Sequence, residues 1–163
     1  MKTRQLFEEF ILQNLDNAYR FAFTYTKNKE DAEDIVNESV IKALRSIGKL
    51  KNTEYMKPWF YKIIVNTALT QRKQNSRVIS VDFGESGEEI APYCEDDYSD
   101  ITLEDILKVL DEKYRCVIVL KICEDMTFRE IAEIMDISEG TVKTRFYKAL
   151  EILKADLGGE RNA

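Results

Sequence analysis

The side chains best suited to contact DNA lie between residues 138 and 153. Apolar residues recur there at helical spacing, which predicts a helix that buries Val142, Phe146, Ala149, Leu150 and Leu153. The opposite face of this helix carries Thr141, Lys143, Thr144, Arg145, Tyr147 and Lys148. Lysine donates to guanine edges, threonine can approach bases, and a tyrosine ring can pack on a thymine methyl. These residue types predict recognition of a DNA major groove.

A second, shorter helix must hold that face in place. Thr127 and Glu130 have the spacing of a capping box at a helix start. The segment 136–138 ends this helix, because Asp136 tolerates left-handed backbone and Ser138 can cap the next helix. These features predict a helix-turn-helix with a basic outer face. The alternative is an ordinary helical hairpin with a solvated face, and the two caps and the short turn weigh against it.

Composition gives little support to catalysis or metal binding. The chain has no histidine, and its three cysteines, Cys94, Cys116 and Cys123, lack metal-ligand spacing. We find no nucleophile constellation and no phosphate-binding glycine loop, so we expect no enzyme, cofactor, metal or small-molecule substrate. Cys116 and Cys123 are predicted to be small buried hydrophobes in a reduced, cytoplasmic protein. No apolar run approaches the roughly 20 residues of a membrane span.

The charge of the chain is strongly segregated. The net charge is −6, yet residues 42–77 carry nine cations and one acid, a net charge of +8. The remainder therefore carries −14, from 15 cations and 29 acids. A solvated surface normally mixes both signs, whereas this separation favours a polyanionic partner for residues 42–77.

Three amphipathic helices are predicted in the first half of the chain. The first buries a stripe made of Phe7, Ile11, Leu15, Ala18, Ala22 and Tyr25. The second has acids near its start, as the helix dipole favours, and buries Ala32, Val36, Val40, Ala43 and Ile47. Gly48 is predicted to be its C-terminal stop. The third begins at Pro58, a favoured first residue, and runs to about Lys73.

Residues 76–100 separate the two halves. They show no helical period and contain eight acids against Arg77, which predicts a flexible acidic linker. One helix is predicted after it from Leu103, Ile106, Leu107 and Leu110. Another is predicted from Tyr114, Val117, Ile118 and Ile122, with Asp111 able to cap it. The predicted fold class is all-α, with two small helical domains, 1–75 and 101–158, and a tail, 159–163.

Over nearly its whole length the chain resembles the extracytoplasmic-function (group IV) sigma factors of bacterial RNA polymerase. Three blocks carry the resemblance: DAEDIVNESVIKAL at 31–44, KPWFYKIIVNTAL at 57–69 and SEGTVKTRFYKAL at 138–150. The three blocks in this order, around this linker, are highly specific to that family. Within it, the sequence is most similar to the sigma-V type of envelope-stress regulators. The resemblance implies that the domains are sigma regions 2 and 4, which recognise −10 and −35 promoter elements and help to melt DNA.

The resemblance also implies a partner for the second helix. Asp34, Asn37 and Glu38 share one face of it, away from the apolar stripe. In the family this face docks on the clamp helices of core RNA polymerase, and we expect Ile41 to take part. The polymerase flap is the other implied contact. From the residues alone a solvated acidic face is the commoner explanation, and the family usually has Gln in place of Asn37.

For the −10 element, the resemblance implies strand capture by the third helix and the basic loop before it. Aromatic, amide and cationic side chains suit unstacked bases and their phosphates. The predicted contact residues are Lys49, Lys51, Asn52, Tyr55, Lys62, Asn66, Arg72 and Lys73. The family places Asn66 at a flipped-base pocket, with residues 49–56 as its lid. Trp59 lies on the same face, and we expect it to belong to the core instead.

For the −35 element, the implied contact residues are Ser138, Thr141, Lys143, Thr144, Arg145, Tyr147 and Lys148. The family often has Arg at the positions of Lys143 and Lys148, and Lys lacks the bidentate fork of Arg. The resemblance further implies control by an anti-sigma factor, often membrane-anchored. The alternative function is a free-standing helix-turn-helix regulator that uses only its C-terminal domain. The basic middle helix and the two-domain layout argue against it.

Overall fold

The computed structural model describes residues 2–26, 28–78 and 103–162. Among these residues the regular structure is helical and no strand occurs. The chain divides into two compact units, 1–93 and 94–163. The all-α fold class with two helical domains is thereby confirmed. Cys94 and residues 79–100 of the predicted linker lie outside the described residues, whereas residues 76–78 are helical.

The first unit is a bundle of three helices: α1 (Lys2–Thr26), α2 (Lys29–Ser46) and α3 (Met56–Val78). Asn28 caps α2, because its side-chain oxygen accepts a hydrogen bond from the Asp31 backbone N–H at 3.0 Å. Two 3₁₀ turns, Ile47–Lys49 and Thr53–Tyr55, lie between α2 and α3. Each pair of helices is in contact, so every helix face toward the bundle axis is covered.

The core of this bundle is aromatic. Phe7, Phe21, Phe60 and Tyr61 are all fully buried. The rings of Phe7 and Phe60 pack edge-on with their centroids 5.5 Å apart. This geometry stabilises the fold by about 0.5–1.5 kcal/mol beyond the burial of apolar area. Trp59 is half-buried and packs edge-on against Phe7 at 6.0 Å, which agrees with its expected place in the core.

Two sequence predictions for this unit were wrong, the burial of Leu15 and the first residue of the third helix. Leu15 is 42% exposed, because a four-residue spacing drifts 40° per step around an α-helix and carries Leu15 off the buried face, where Phe21 lies instead. Gly48 follows the C-cap Ile47, so α2 ends where the sequence predicts, and Gly48 lies within the 3₁₀ turn Ile47–Lys49. The third helix begins at Met56, since Pro58 is still in the first turn, where no N–H is needed.

The second unit contains α4 (Leu103–Leu107), α5 (Glu112–Ile118), α6 (Phe128–Met135) and α7 (Glu139–Asn162). A π-helical turn, Val119–Cys123, extends α5. The predicted helix through Leu110 ends earlier, and Leu110 is buried in a turn after it. Buried Arg115 holds this turn by donating to the Leu107 and Leu110 carbonyls at 3.3 and 2.8 Å. Asp111 precedes α5, but its side chain makes no cap hydrogen bond.

The π-helical turn also overturns the predicted burial of Ile122, which is 58% exposed. The Glu124 N–H donates to the Val119 carbonyl at 3.0 Å, so one extra residue enters the turn. That insertion rotates the following side chains by about 100° relative to an α-helix. Leu120 and Met126 are consequently buried, Cys123 is partly exposed, and only Cys116 is the fully buried thiol that the spacing predicted.

Candidate nucleic-acid interface

The helix-turn-helix of the second unit has the local structure that its sequence predicts. Both bonds of the capping box form: Glu130 N–H donates to Thr127 Oγ1 at 3.1 Å, and Thr127 N–H donates to the Glu130 carboxylate at 3.0 Å. Asp136 takes the left-handed conformation, with φ 58° and ψ 48°. Ser138 Oγ then accepts from Thr141 N–H at 3.1 Å, which caps α7. The turn is therefore fixed at both ends by side-chain and backbone geometry.

The inner face of α7 packs on α5 and α6. Val142 and Ala149 are fully buried, while Phe146 and Leu153 are half-buried. Leu150 was predicted to be buried and is 37% exposed, because it lies about 80° around the helix from Val142. The buried row is therefore narrower than the sequence pattern suggested.

The outer face of α7 carries the predicted −35 residues. Lys143, Thr144, Tyr147 and Lys148 are exposed, with Tyr147 at 59%, whereas Thr141 and Arg145 are half-buried. Lys148 Nζ lies 3.7 Å from the Glu151 carboxylate, but both side chains are mostly exposed. Such a surface pair is worth at most about 1 kcal/mol, so a phosphate or base can displace it. Ser138 is exposed, and its hydroxyl serves as the cap of α7.

Two residues beside this face were missed by the sequence analysis. The Phe128 ring, at the start of α6, packs against the rings of Phe146 and Tyr147, with centroid separations of 5.4 and 6.4 Å. Lys121 Nζ, from the π-helical turn, lies 4.4 Å from the centre of the Phe128 ring. These contacts join residues of different elements, so residue spacing in the sequence does not predict them. The one available signal was an aromatic residue directly after the cap Thr127.

In the first unit, α2 presents the predicted acidic face. Asp34, Asn37 and Glu38 are all exposed, and Ile41, one turn after Asn37, is 49% exposed. Glu38 is held by Gln71 of α3, whose amide donates to it at 3.1 Å, and by Lys42 at 3.5 Å. The apolar Ile41 beside exposed carboxylates suits a docking surface better than a merely solvated one.

The negative charge of this face affects the pKa of a neighbouring carboxyl, that of Asp31. Burial raises the pKa of Asp31, and the charges of Asp34 and Glu30 raise it further. Carboxylates that repel one another favour an approaching cation. The first turns of α2 are therefore suited to a basic partner.

A groove with the opposite charge lies between α2 and α3. Its volume is about 280 Å³, and it is lined by Lys42, Arg45, Ser46, Ile63, Asn66 and Thr67. Lys42 Nζ donates to Thr67 Oγ1 at 3.2 Å across the groove. Asn66 is exposed at this groove. Lys42 and Arg45 were counted in the cationic segment, yet only the packing of α2 on α3 puts them beside Asn66.

The loop before α3 presents its polar residues outward. Buried Leu50 and Met56 anchor its two ends, while Lys49, Lys51, Asn52 and Tyr55 are exposed. The Asn52 side-chain oxygen accepts from Glu54 N–H at 3.0 Å, which stabilises the turn. The loop is thus a fixed basic ridge at the start of α3.

The other predicted −10 residues lie along α3. Lys62 is half-buried and Lys73 is exposed. Arg72 is directed to α1, where it donates to the Tyr25 carbonyl at 2.8 Å and lies 5.6 Å from the Tyr25 ring centre. Arg72 therefore links α3 to α1, and the structure does not bring it to the groove with Asn66.

None of the helices in the part of the chain that the structure describes is long and apolar enough to cross a membrane. Among the same residues, no group of three or more His, Cys, Asp or Glu side chains could hold a metal ion.

Comparisons with known proteins match both units. A family described as "Sigma-70 region 2" matches residues 10–78, and one described as "Sigma-70, region 4" matches residues 101–153. The RNA polymerase sigma factor SigV of Bacillus subtilis is 39% identical over 158 residues, covering 97% of this chain and 95% of the relative. The ECF RNA polymerase sigma factor SigW of the same organism is 30% identical over 157 residues, covering 87% of this chain and 83% of that protein.

A solved structure agrees with the fold. The sigma factor RpoE of Bartonella quintana, crystallised with the anti-sigma factor NepR, superposes with a TM-score of 0.74 at 23% identity. The match covers 93% of this chain and 96% of that one.

Proposed function

Because this chain belongs to the extracytoplasmic-function family of RNA polymerase sigma factors, we infer that it directs core polymerase to promoters through separate surfaces on its two units. Proteins of this family are regulatory subunits rather than catalysts. The observation that carries the proposal is the pairing, in one chain, of a helix-turn-helix with a bundle that bears an acidic face and a cationic groove. A regulator that used the helix-turn-helix alone would need neither of the latter.

We propose that the acidic face of α2 docks on the clamp helices of the polymerase. Asp34, Asn37 and Glu38 supply polar and negative contacts, and Ile41 supplies apolar area at their edge. Exposed charges of this kind govern association rate and specificity more than affinity. The second unit is proposed to contact the flap.

We propose that the groove between α2 and α3 receives an unstacked base of the −10 element. Asn66 offers both a donor and an acceptor, and Lys42 and Arg45 balance the adjacent phosphates. The exposed ridge with Lys49, Lys51, Asn52 and Tyr55 tracks the same strand, with Lys62 and Lys73 along α3. Arg72 contributes indirectly, by fixing α3 against α1.

We propose that α7 enters the major groove of the −35 element. The exposed residues Lys143, Thr144, Tyr147 and Lys148 read bases, while Thr141 and Arg145 bind phosphates. Ser138 orients the helix N-terminus through its cap.

Regulation follows from the same surfaces. We propose a cytoplasmic protein that acts in an envelope-stress response and is held inactive by an anti-sigma factor, which could recruit it to the membrane. Such a partner would cover the acidic face of α2 or the DNA-facing surfaces. The acids of the predicted linker, 76–100, are proposed to thread into the cationic RNA-exit path of the polymerase; a plain solubilising tether is the competing role for them.

A gel-shift experiment separates the proposed function from that of a free-standing regulator. The full chain is added to promoter duplex with and without core RNA polymerase. A sigma factor shifts the duplex only when core polymerase is present. A shift by the chain alone, unaffected by core polymerase, would establish the regulator instead.

A further inference from the structure

A cluster of aromatic rings supports the outer face of the helix-turn-helix. Phe128, the first residue of α6, is half-buried and packs edge-on against Phe146 at 5.4 Å. It also contacts Tyr147 at 6.4 Å, and Tyr147 in turn contacts Phe146 at 5.3 Å. The ring of Phe128 therefore limits the positions open to Tyr147, an exposed residue of α7.

The same ring attracts two lysines from different elements. Lys121 Nζ lies 4.4 Å and Lys143 Nζ 5.9 Å from the centre of the Phe128 ring, both within the roughly 6 Å over which a ring attracts a cation. Within the described parts of the chain, neither lysine is in an ion pair, unlike Lys148 with Glu151. Two ammonium groups on one ring repel each other, and a phosphate would relieve that repulsion.

The π-helical turn explains how Lys121 reaches this position. The extra residue of the turn changes the direction of the side chains that follow Val119, and Ile122 is turned into solvent as a result. Lys121 is half-buried, so its aliphatic stem lies on apolar surface while its ammonium group reaches the ring. A basic group from outside the helix-turn-helix thereby joins its outer face.

From these contacts we propose that Lys121 is an additional phosphate contact for the −35 duplex, and that Phe128 is the positioning residue that holds Lys121, Lys143 and Tyr147 in register. The proposal rests on the proposed −35 function of α7 and extends the DNA-binding surface to two elements before it. Phe128 touches no DNA itself; it reduces the freedom of side chains that do.

The test uses the full chain assembled with core RNA polymerase and a duplex selected by the wild-type holoenzyme from a library randomised at −35. Lys121→Ala should lower affinity about eightfold at 0.1 M salt, equally for all −35 sequences, and flatten the salt dependence by about 0.9 in log–log slope. Phe128→Leu should flatten that slope similarly and also relax the preference at the positions read by Lys143 and Tyr147. Phe128→Tyr, which keeps the ring, should restore both.

Lys113 provides the matched control. It is an exposed lysine 5.1 Å from the ring centre of Tyr114, on α5 and outside the Phe128 cluster. Lys113→Ala removes the same charge and should leave affinity and slope unchanged. Equal slopes for the Lys121 and Lys113 variants would overturn the phosphate contact, whatever the folding of Phe128→Leu.

The positioning role is overturned separately if folded Phe128→Leu keeps the wild-type sequence preference. Lys143→Ala and Thr144→Ala distinguish a failure of the Lys121 proposal from a failure of the proposed −35 function. If these two variants lose −35 binding while Lys121→Ala does not, only the further inference fails. If none of the three has an effect, the proposed −35 function fails with it.

Discussion

The acidic face of α2 gives the most direct test of polymerase docking. In the double variant Asp34→Lys, Glu38→Lys, two exposed carboxylates become cations, a change of +4 in net charge. An exposed ion pair across an interface is worth about 0.2–1 kcal/mol, and reversal replaces that attraction with a comparable repulsion. Two sites therefore cost about 2 kcal/mol in total, which is roughly a thirtyfold weaker complex with core polymerase.

The fold should survive this double variant. Both positions are exposed, so no buried contact is lost. Glu38→Lys removes the hydrogen bond from Gln71 and the pair with Lys42, and the double variant places three lysines at successive turns, at positions 34, 38 and 42. These exposed interactions together cost about 1 kcal/mol of stability. Helicity by circular dichroism should remain that of the wild type at 25 °C.

Competition with a fluorescently labelled wild-type chain for core polymerase measures the effect. Glu9→Lys, Asp16→Lys is the matched control, since both residues are exposed acids on α1 and the change in net charge is identical. The control should bind within about twofold of wild type, because long-range charge effects are screened beyond about 10 Å at 0.1 M salt. If the α2 variant competes as well as the control, the acidic face is only solvated and the docking assignment is wrong.

Three further predictions concern DNA and stability. Asn66→Ala should leave −35 binding intact while reducing permanganate reactivity of the melted strand at limiting protein; unchanged reactivity would remove Asn66 from strand capture. Lys143→Ala or Lys148→Ala should cost about 1–3 kcal/mol at one −35 position if the lysine contacts a base edge, whereas a uniform loss across sequences with a flatter salt dependence would indicate a phosphate contact. Thr127→Ala removes the side-chain half of the capping box and should lower the free energy of unfolding by about 1 kcal/mol in urea titrations, with Thr127→Ser close to wild type; equal loss in both variants would contradict the capping argument.

Local signals in the sequence predicted local structure well. The capping box at Thr127 and Glu130, the left-handed Asp136 and the cap at Ser138 all depend on residues within four positions of each other. Their outcome is decided by short-range hydrogen bonding, and tertiary packing has little opportunity to override it. The helix-turn-helix could therefore be predicted almost completely, including its exposed face.

Predictions of buried side chains failed where an apolar spacing was extrapolated over several helical turns and no longer matched the actual helix. Leu15 and Leu150 each lie about 80° from the residue that started their row, so both are partly exposed. Ile122 was misplaced by the π-helical turn, whose extra residue has no signature in the sequence.

The candidate sites were predictable in composition but incompletely in geometry. The cationic segment 42–77 was evident, yet the sequence gives no reason why Lys42 and Arg45 should line the groove while Arg72 turns to the Tyr25 carbonyl. The contact of Lys121 with Phe128 was equally inaccessible, since it joins residues on two elements through a ring. In each case the missing information was how one helix packs on another.

Reconstituted transcription measures the central claim most directly. Core RNA polymerase, with and without the full chain, is given double-stranded genomic fragments, and the 5′ ends of the transcripts are mapped. A sigma factor of this family should produce discrete start sites that require both components and share −10 and −35 sequences, and Asn66→Ala should reduce their opening at limiting protein. Start sites that are the same without the chain, together with DNA binding by the chain alone, would contradict the account.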